Sequence, residues 1–156
     1  MAAEEYSDVV AAMMQERLGG DSVLNTTLKI GGRIYDTVIP QADTEAERAA
    51  TYPCVVFAID SAGAVLAGSS ESIVWQPDDY AVFGITEGAD FTALTSIAAR
   101  LRQLLHGFNH QIIANGGYIN WCRYRKLYKL ALTESESGLR FVRLGGIFRI
   151  AARLAP

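Results

Sequence analysis

The feature that most constrains this chain is the period-two pattern of its last third. In Trp121–Leu132 the even positions read Cys122, Tyr124, Lys126, Tyr128, Leu130 and Leu132, while the odd ones read Trp121, Arg123, Arg125, Leu127, Lys129 and Ala131. After the polar stretch Thr133–Gly138 the even positions are again apolar, with Val142, Leu144, Phe148, Ile150, Ala152 and Leu154. Two alternating runs joined by a short polar loop form an antiparallel hairpin. The even residues are expected inward, and Gly145-Gly146 is expected to mark a bulge or kink. The odd residues then gather Trp121, Arg123, Arg125, Lys129, Arg143, Arg149 and Arg153 on one outward face.

Upstream, Gly31–Gln41 and Tyr52–Asp60 are two apolar runs, one ended by Pro40 and the other announced by Pro53. They read as a short, partly exposed strand over Lys29–Pro40 and a central strand over Cys54–Asp60, joined by an exposed loop. The loop, residues 41–51, shows no apolar periodicity and carries Asp43, Glu45, Glu47 and Arg48. It is expected to project as a contact arm, unless it is simply a solvated excursion. Small-residue turns follow in residues 61–72. Ile73–Trp75 and Tyr80–Ile85 are further strands around a turn at Gln76–Asp79, whose adjacent aspartates read as a solvated turn rather than a cation site.

Two stretches have helical spacing. Over residues 3–18, Tyr6, Val9, Val10, Met13, Met14 and Arg17 recur on one side, and Gly19-Gly20 sits where a left-handed cap would end the helix. Asp21–Leu28 follows as a polar connector. Asp90 is placed to N-cap a second helix whose apolar face holds Phe91, Leu94, Ile97, Ala98, Leu101, Leu104 and Leu105, with Gly107 as its stop. The expected fold is therefore α+β: a mostly antiparallel sheet, two amphipathic helices packed on one face, and an extended hairpin, all in a single domain.

A chain of 156 residues, half of them apolar, is long enough to bury a core without a metal or disulfide. Cys54 and Cys122 lie in apolar runs without a CxxC partner and read as buried thiols of a reducing compartment. The acidic N-terminus and the absence of any apolar run near ~20 residues argue against secretion and membrane insertion. Charge is divided along the chain: residues 1–90 carry 15 acids against 4 Lys/Arg, and residues 91–156 carry 10 Lys/Arg against 2 acids. Such a division favours head-to-tail self-association, or else it cancels across one surface within the fold.

Catalytic patterns are scarce. Ser69, Ser70 and Ser72 do not form a nucleophile elbow, and there is no Walker or dinucleotide-binding glycine loop. His106 and His110 are four apart, but Gly107 and Asn109 break the helix that would aim both at one zinc ion. No enzyme and no cofactor are expected. The basic outward face admits three readings: a subunit interface or ring lining, a solvated face, or a nucleic-acid-binding module in which guanidinium groups grip phosphates and Trp121 stacks a base.

The order of these elements, together with Arg33-Ile34-Tyr35-Asp36, Pro40-Gln41, Tyr52-Pro53 and the terminal Arg-rich hairpin, resembles the tail completion or tail terminator proteins of long-tailed bacteriophages. The order spans nearly the whole chain. The interval between Pro40-Gln41 and Tyr52-Pro53 is longer than the family pattern, so no role is carried over to that loop. The resemblance implies a small α+β subunit of a homo-oligomeric ring, a hexamer, that stops tail-tube polymerisation in the virion after assembly in the host cytoplasm. Its partners would be further copies of itself, the tail tube protein and head connector proteins, with DNA only as the transiting genome and no membrane. The resemblance brings no catalytic residues. On the charge pattern, Asp43, Glu45 and Glu47 of one subunit are expected to face Arg123, Arg125, Lys129, Arg143 and Arg149 of the next.

Overall fold

The computed structural model describes residues 2–61, 66–67, 74–112 and 117–153. Its centre is a seven-stranded sheet made of β1 (Ile34–Asp36), β2 (Cys54–Ser61), β3 (Leu66–Ala67), β4 (Val74–Glu87), β5 (Asn109–Ile112), β6 (Tyr118–Thr133) and β7 (Arg140–Arg153). The order is β1-β2-β4-β7-β6-β5, with β3 also paired to β4. Every pairing is antiparallel except β1 with β2. Helices α1 (Ala2–Gly19) and α3 (Thr92–Leu105) pack on one face, so the expected α+β architecture is the observed one.

Both faces of the sheet bury apolar side chains. Under the helices, Tyr6, Val9, Met13, Met14 and Leu18 of α1 and Leu94, Ile97, Leu101 and Leu105 of α3 meet Val55, Phe57, Val82, Phe148 and Ile150. On the helix-free face Cys54, Val56, Ala81, Phe83, Ile85, Phe141 and Ile147 form a second cluster, flanked by Tyr35, Ile39, Tyr52 and Tyr128. This explains the unbroken apolar run at the start of β2, since its successive residues point alternately into the two clusters. Each fully buried large side chain, such as Phe57 or Leu101, contributes about 1.5–3 kcal/mol.

Several local readings change. Neither Gly19 nor Gly20 has a positive φ; α1 ends instead with Gly20 N–H donating to the Glu16 carbonyl at 3.1 Å. The Asn25 amide supplies the cap by donating to the carbonyls of Leu18, Gly19 and Asp21 at 2.8, 3.1 and 2.8 Å. The connector at 21–28 contains a π-helical turn, Val23–Thr27, which buries Leu24. β1 is only three residues long and runs parallel to β2, so the segment between them is a crossover rather than a loop of a hairpin.

That crossover also contains a helix, α2 (Glu45–Thr51), held by a capping box: Thr44 Oγ1 accepts from Glu47 N–H and Glu47 Oε2 accepts from Thr44 N–H. The turn expected at Gln76–Asp79 is part of β4. Pro77, with no N–H to give, falls between the Asp79 position where pairing with β2 ends and the Trp75 position where pairing with β3 begins. The N-cap position of α3 is Phe91 rather than Asp90, which stands one residue earlier with its Oδ1 accepting from the Thr92 N–H and hydroxyl at 2.9 and 2.7 Å. Gly107 stops that helix in a left-handed conformation, φ 84°. β7 runs unbroken through Gly145-Gly146, and the bulges lie on its partner β6. Most of residues 61–73, including Ser69, Ser70 and Ser72, and Leu154 lie outside the described residues.

Candidate assembly surface

The helix-free face of the hairpin carries most of the expected basic group. Register places Trp121 beside Ala151 and Arg123 beside Arg149, with Arg143 and Arg153 further along the same side of β7. The register then shifts between Tyr124 and Lys126, leaving Arg125 without a partner position on β7. Beyond the shift, Lys126 stands opposite Ile147 and Tyr128 opposite Gly145, both on the helix-free face, while Lys129 stands opposite Leu144. Lys129 is therefore not on the expected face: its Nζ lies 4.4 Å from the Phe91 ring centroid, on the helix side. Lys126, Leu130 and Leu132, expected inward, are exposed, because beyond the shift they lie on the helix-free side of β6, where no further strand covers it among the described residues.

The arginines of this face differ in what their charge is free to do. Arg149 grips Asp79 through two parallel hydrogen bonds, Nε to Oδ1 at 2.9 Å and Nη2 to Oδ2 at 3.1 Å. That fork, ahead of the nearby charge of Arg125, holds the Asp79 carboxyl below its usual range. The charge of Arg149 is thus matched within the subunit. Arg143 lies over Phe83 at 5.1 Å and its Nη1 is 3.5 Å from the Tyr128 hydroxyl, so it acts as cover for the second cluster. It also lines a cavity of about 300 Å³ with Ile39, Tyr52, Ile85, Leu132 and Phe141. Arg123 lies over Trp121 at 5.1 Å, and Arg153 over Tyr118 at 4.1 Å. One side of the Trp121 ring is thereby taken by the chain's own guanidinium. Arg123, Arg125 and Lys126 are exposed and have no ion pair among the described residues.

The acidic group sits elsewhere. Asp43 accepts from the Gln41 amide at 2.9 Å, and Glu47 is occupied by the capping box, whose backbone N–H donors keep its carboxyl below the usual range. Glu45 points its charge from the first turn of α2 and is exposed. Arg48 ties α2 to the end of β4 through Glu87 at 3.1 Å. These acids lie in the crossover, which Arg48 ties to the end of β4, and the free cations Arg123, Arg125 and Lys126 lie on β6. Within one chain the structure does not bring the two groups together.

His106, weighed in the sequence only as a zinc ligand, accepts at Nδ1 from the Tyr124 N–H at 3.1 Å and so ties β6 to the end of α3 at the second bulge. Arg102, on the polar face of α3, lies over the Tyr124 ring at 4.1 Å. No local pattern announces either contact, since both depend on where the register slips. The side chain of His110 lies outside those described. Among the described residues no group of three His, Cys, Asp or Glu could hold a metal, and no helix is long and apolar enough to cross a membrane. Cys54 and Cys122 are fully buried, and burial pushes both thiols up to about 12.

No family model and no curated protein matches the chain. Among solved structures, it superposes on a chain from the virion of a native gene transfer agent particle with a TM-score of 0.63 and 20% sequence identity. What the two share is the fold. The correspondence spans 95% of this chain and 97% of the other, so neither has a large element that the other lacks.

Proposed function

We propose that this chain is a structural subunit of a phage-like virion, one protomer of a homo-oligomeric ring at the head-proximal end of the tail. In this reading a hexamer of the protein ends tail-tube polymerisation and presents a docking surface to the head connector, with no catalytic step of its own. The observation that carries it is the end-to-end likeness in fold to a virion chain. The placing of exposed Glu45 on α2 and of exposed Arg123, Arg125 and Lys126 on β6 supports it, because a ring built by one repeated rotation joins two different patches of the same subunit.

In the contact we propose, Glu45 with Asp43 of one subunit faces Arg123, Arg125 and Lys126 of its neighbour. Glu47 belongs to the folding of α2 and is left out of the contact. The primary test is native mass by light scattering together with negative-stain imaging, where a discrete ring with a central hole is expected. A monomer that retains DNA with a steep salt dependence would refute the ring and favour the nucleic-acid reading. At low salt, Glu45→Lys and Arg125→Glu should each weaken the oligomer by about 0.2–1 kcal/mol per interface, and the double swap should recover part of that loss. Equal oligomerisation of all three variants would remove this pairing from the interface.

A further inference from the structure

Three arginines of this chain are matched by carboxylates: Arg48 by Glu87, Arg100 by Asp21 and Arg149 by Asp79. Arg143 is not. It is half-buried, its Nε is buried with no hydrogen-bond partner among the described residues, and its Nη1 reaches only the Tyr128 hydroxyl, at 3.5 Å. The Phe83 ring beneath it, 5.1 Å away, answers part of the charge. A guanidinium carries five N–H donors and a fixed charge, so leaving it covered without a carboxylate costs free energy that an incoming anion would restore.

The surroundings of Arg143 are apolar. The cavity of about 300 Å³ that it lines lies between the two ends of the crossover, Ile39 and Tyr52, and the outer half of the hairpin. Ile85 and Phe141 on its lining are buried, and the Phe141 ring lies against Tyr52 with centroids 5.2 Å apart. Leu132, also on the lining, and Leu130, which stands opposite Arg143, are 37 and 38% exposed, so apolar surface continues outward from the cavity. Glu134 is the one acid on the lining, and it forms no ion pair with Arg143. Its Oε2 accepts from the Ser137 hydroxyl and its N–H donates to the Leu139 carbonyl, each at 2.8 Å, which keeps it within the hairpin loop.

We infer that this cavity is a docking site for a partner protein, from which it takes one large apolar side chain with a neighbouring carboxylate that forks onto Arg143. The carboxylate supplies the two parallel acceptors a guanidinium fits best, and the walls exclude water from the pair. The volume stands at the lower end of the roughly 300–1,000 Å³ of small-molecule sites, which is room for one side chain rather than for a cofactor. A free metabolite of that size would leave Leu130 and Leu132 uncovered, whereas a polypeptide seated in the cavity runs on across them. Arginine and tyrosine around a desolvated pocket are also the residue types that anchor protein interfaces. The site is separate from the contact of Glu45 with Arg123, Arg125 and Lys126 proposed above and stands without it.

Ligand-observed NMR on the native full chain tests this, with N-acetylphenylalanine as the acid and N-acetylphenylalaninamide as its neutral analogue. The acid should bind saturably in the millimolar range, and the amide at least about tenfold more weakly, the loss of one charge-assisted pair. A four-residue acetyl peptide ending in the same phenylalanine, with leucines before it, should bind more tightly than the single residue. Arg143→Met keeps an apolar cover over Phe83 and should weaken the acid to the level of the amide. Glu134→Gln removes a competing carboxylate and should tighten the acid, and Arg123→Gln, an exposed cation of the same face, should leave it unchanged. The comparison of acid with amide needs no variant, so it decides the matter even where Arg143→Met does not fold. Absence of saturable binding, equal binding of acid and amide, or equal weakening by Arg123→Gln would overturn the site. Equal affinity of peptide and single residue would assign the cavity to a small carboxylate and overturn the docking reading. A native mass that falls in Arg143→Met would put a second copy of this chain in the cavity and overturn it as well.

Discussion

Gly145 holds the sheet together at its most crowded point, and Gly145→Ala tests that directly. The residue lies between Phe83 of β4 and Tyr128 of β6 in the register, and those two rings stack across it with centroids 4.8 Å apart. A Cβ added there would lie 2.0 Å from the Val82 carbonyl oxygen, 2.5 Å from Phe83 Cα and 2.8 Å from Phe83 Cβ. Two of those three atoms are backbone, so no change of rotamer relieves the clash and β4 must move away from β7. Overpacking of this kind costs about 1–3 kcal/mol, and loss of the aromatic pair adds about 0.5–1.5 kcal/mol. At roughly 2–4 °C per kcal/mol for a domain of this size, the melting temperature should fall by roughly 3–18 °C. Gly19→Ala is the control: a Cβ there meets nothing within 4 Å, and at the end of α1 it should leave stability unchanged or raise it by about 0.5–1 kcal/mol. Thermal and urea unfolding followed by circular dichroism read both variants. A Gly145→Ala protein that melts with the wild type, or a Gly19→Ala protein that falls as far, would refute the packing argument.

Two further outcomes follow from buried chemistry. Asp21 takes two hydrogen bonds from Arg100, at 3.0 Å from Nε and 2.5 Å from Nη2, and one from the Leu24 N–H at 2.8 Å, so Asp21→Asn should cost about 1 kcal/mol at neutral pH. The Arg100 bonds, ahead of the other causes, lower the folded pKa of Asp21. The stabilisation is therefore present above the unfolded value near ~3.9 and fades as pH falls through the lower folded value. Urea midpoints of wild type and variant should converge in acid, and a gap independent of pH would refute the assignment. Neither Cys54 nor Cys122 should react with a maleimide in the folded protein at pH 8, both being buried with thiols pushed up to about 12, and both should react in urea. Rapid labelling of the native chain would contradict their placement in the two cores.

Legibility followed the strength of the apolar period. Leu94, Ile97, Leu101 and Leu105 recur on one side of α3 and are buried under it, because a stripe of that width has nowhere else to go. β2 was legible for a similar reason, an apolar run bounded by a proline. Helix α2 was missed since none of its side chains is buried, so periodicity says nothing about it. Its capping box, Thr44 to Glu47, was nonetheless present in the sequence, and those two side chains with Arg48 hold the helix where burial does not. At Gln76–Asp79 the local turn chemistry was overruled from a distance. Asp79 finds a forked partner in Arg149, 70 positions later, and Pro77 finds a gap in the ladder.

The outward face was misread beyond Tyr124, where Lys126 and Lys129 change sides. Tyr124 and Tyr128 have the same parity, so a regular strand would put both on one side. The structure needs them on opposite sides. Tyr124 is held on the helix side by its N–H on His106, by Arg102 over its ring and by Phe148 edge-on at 5.6 Å, in the space that Gly146 leaves by lacking a Cβ. Tyr128 is held on the other side by the stack on Phe83 across Gly145. Both sets of contacts form only if one residue between them is skipped in the register, and that residue is Arg125. The skip turns Lys126 to the helix-free side and Lys129 to Phe91. The adjacent glycines thus place the bulge on the opposite strand while their own strand stays regular. In doing so they set which cations stand on each face of the outer half of β6.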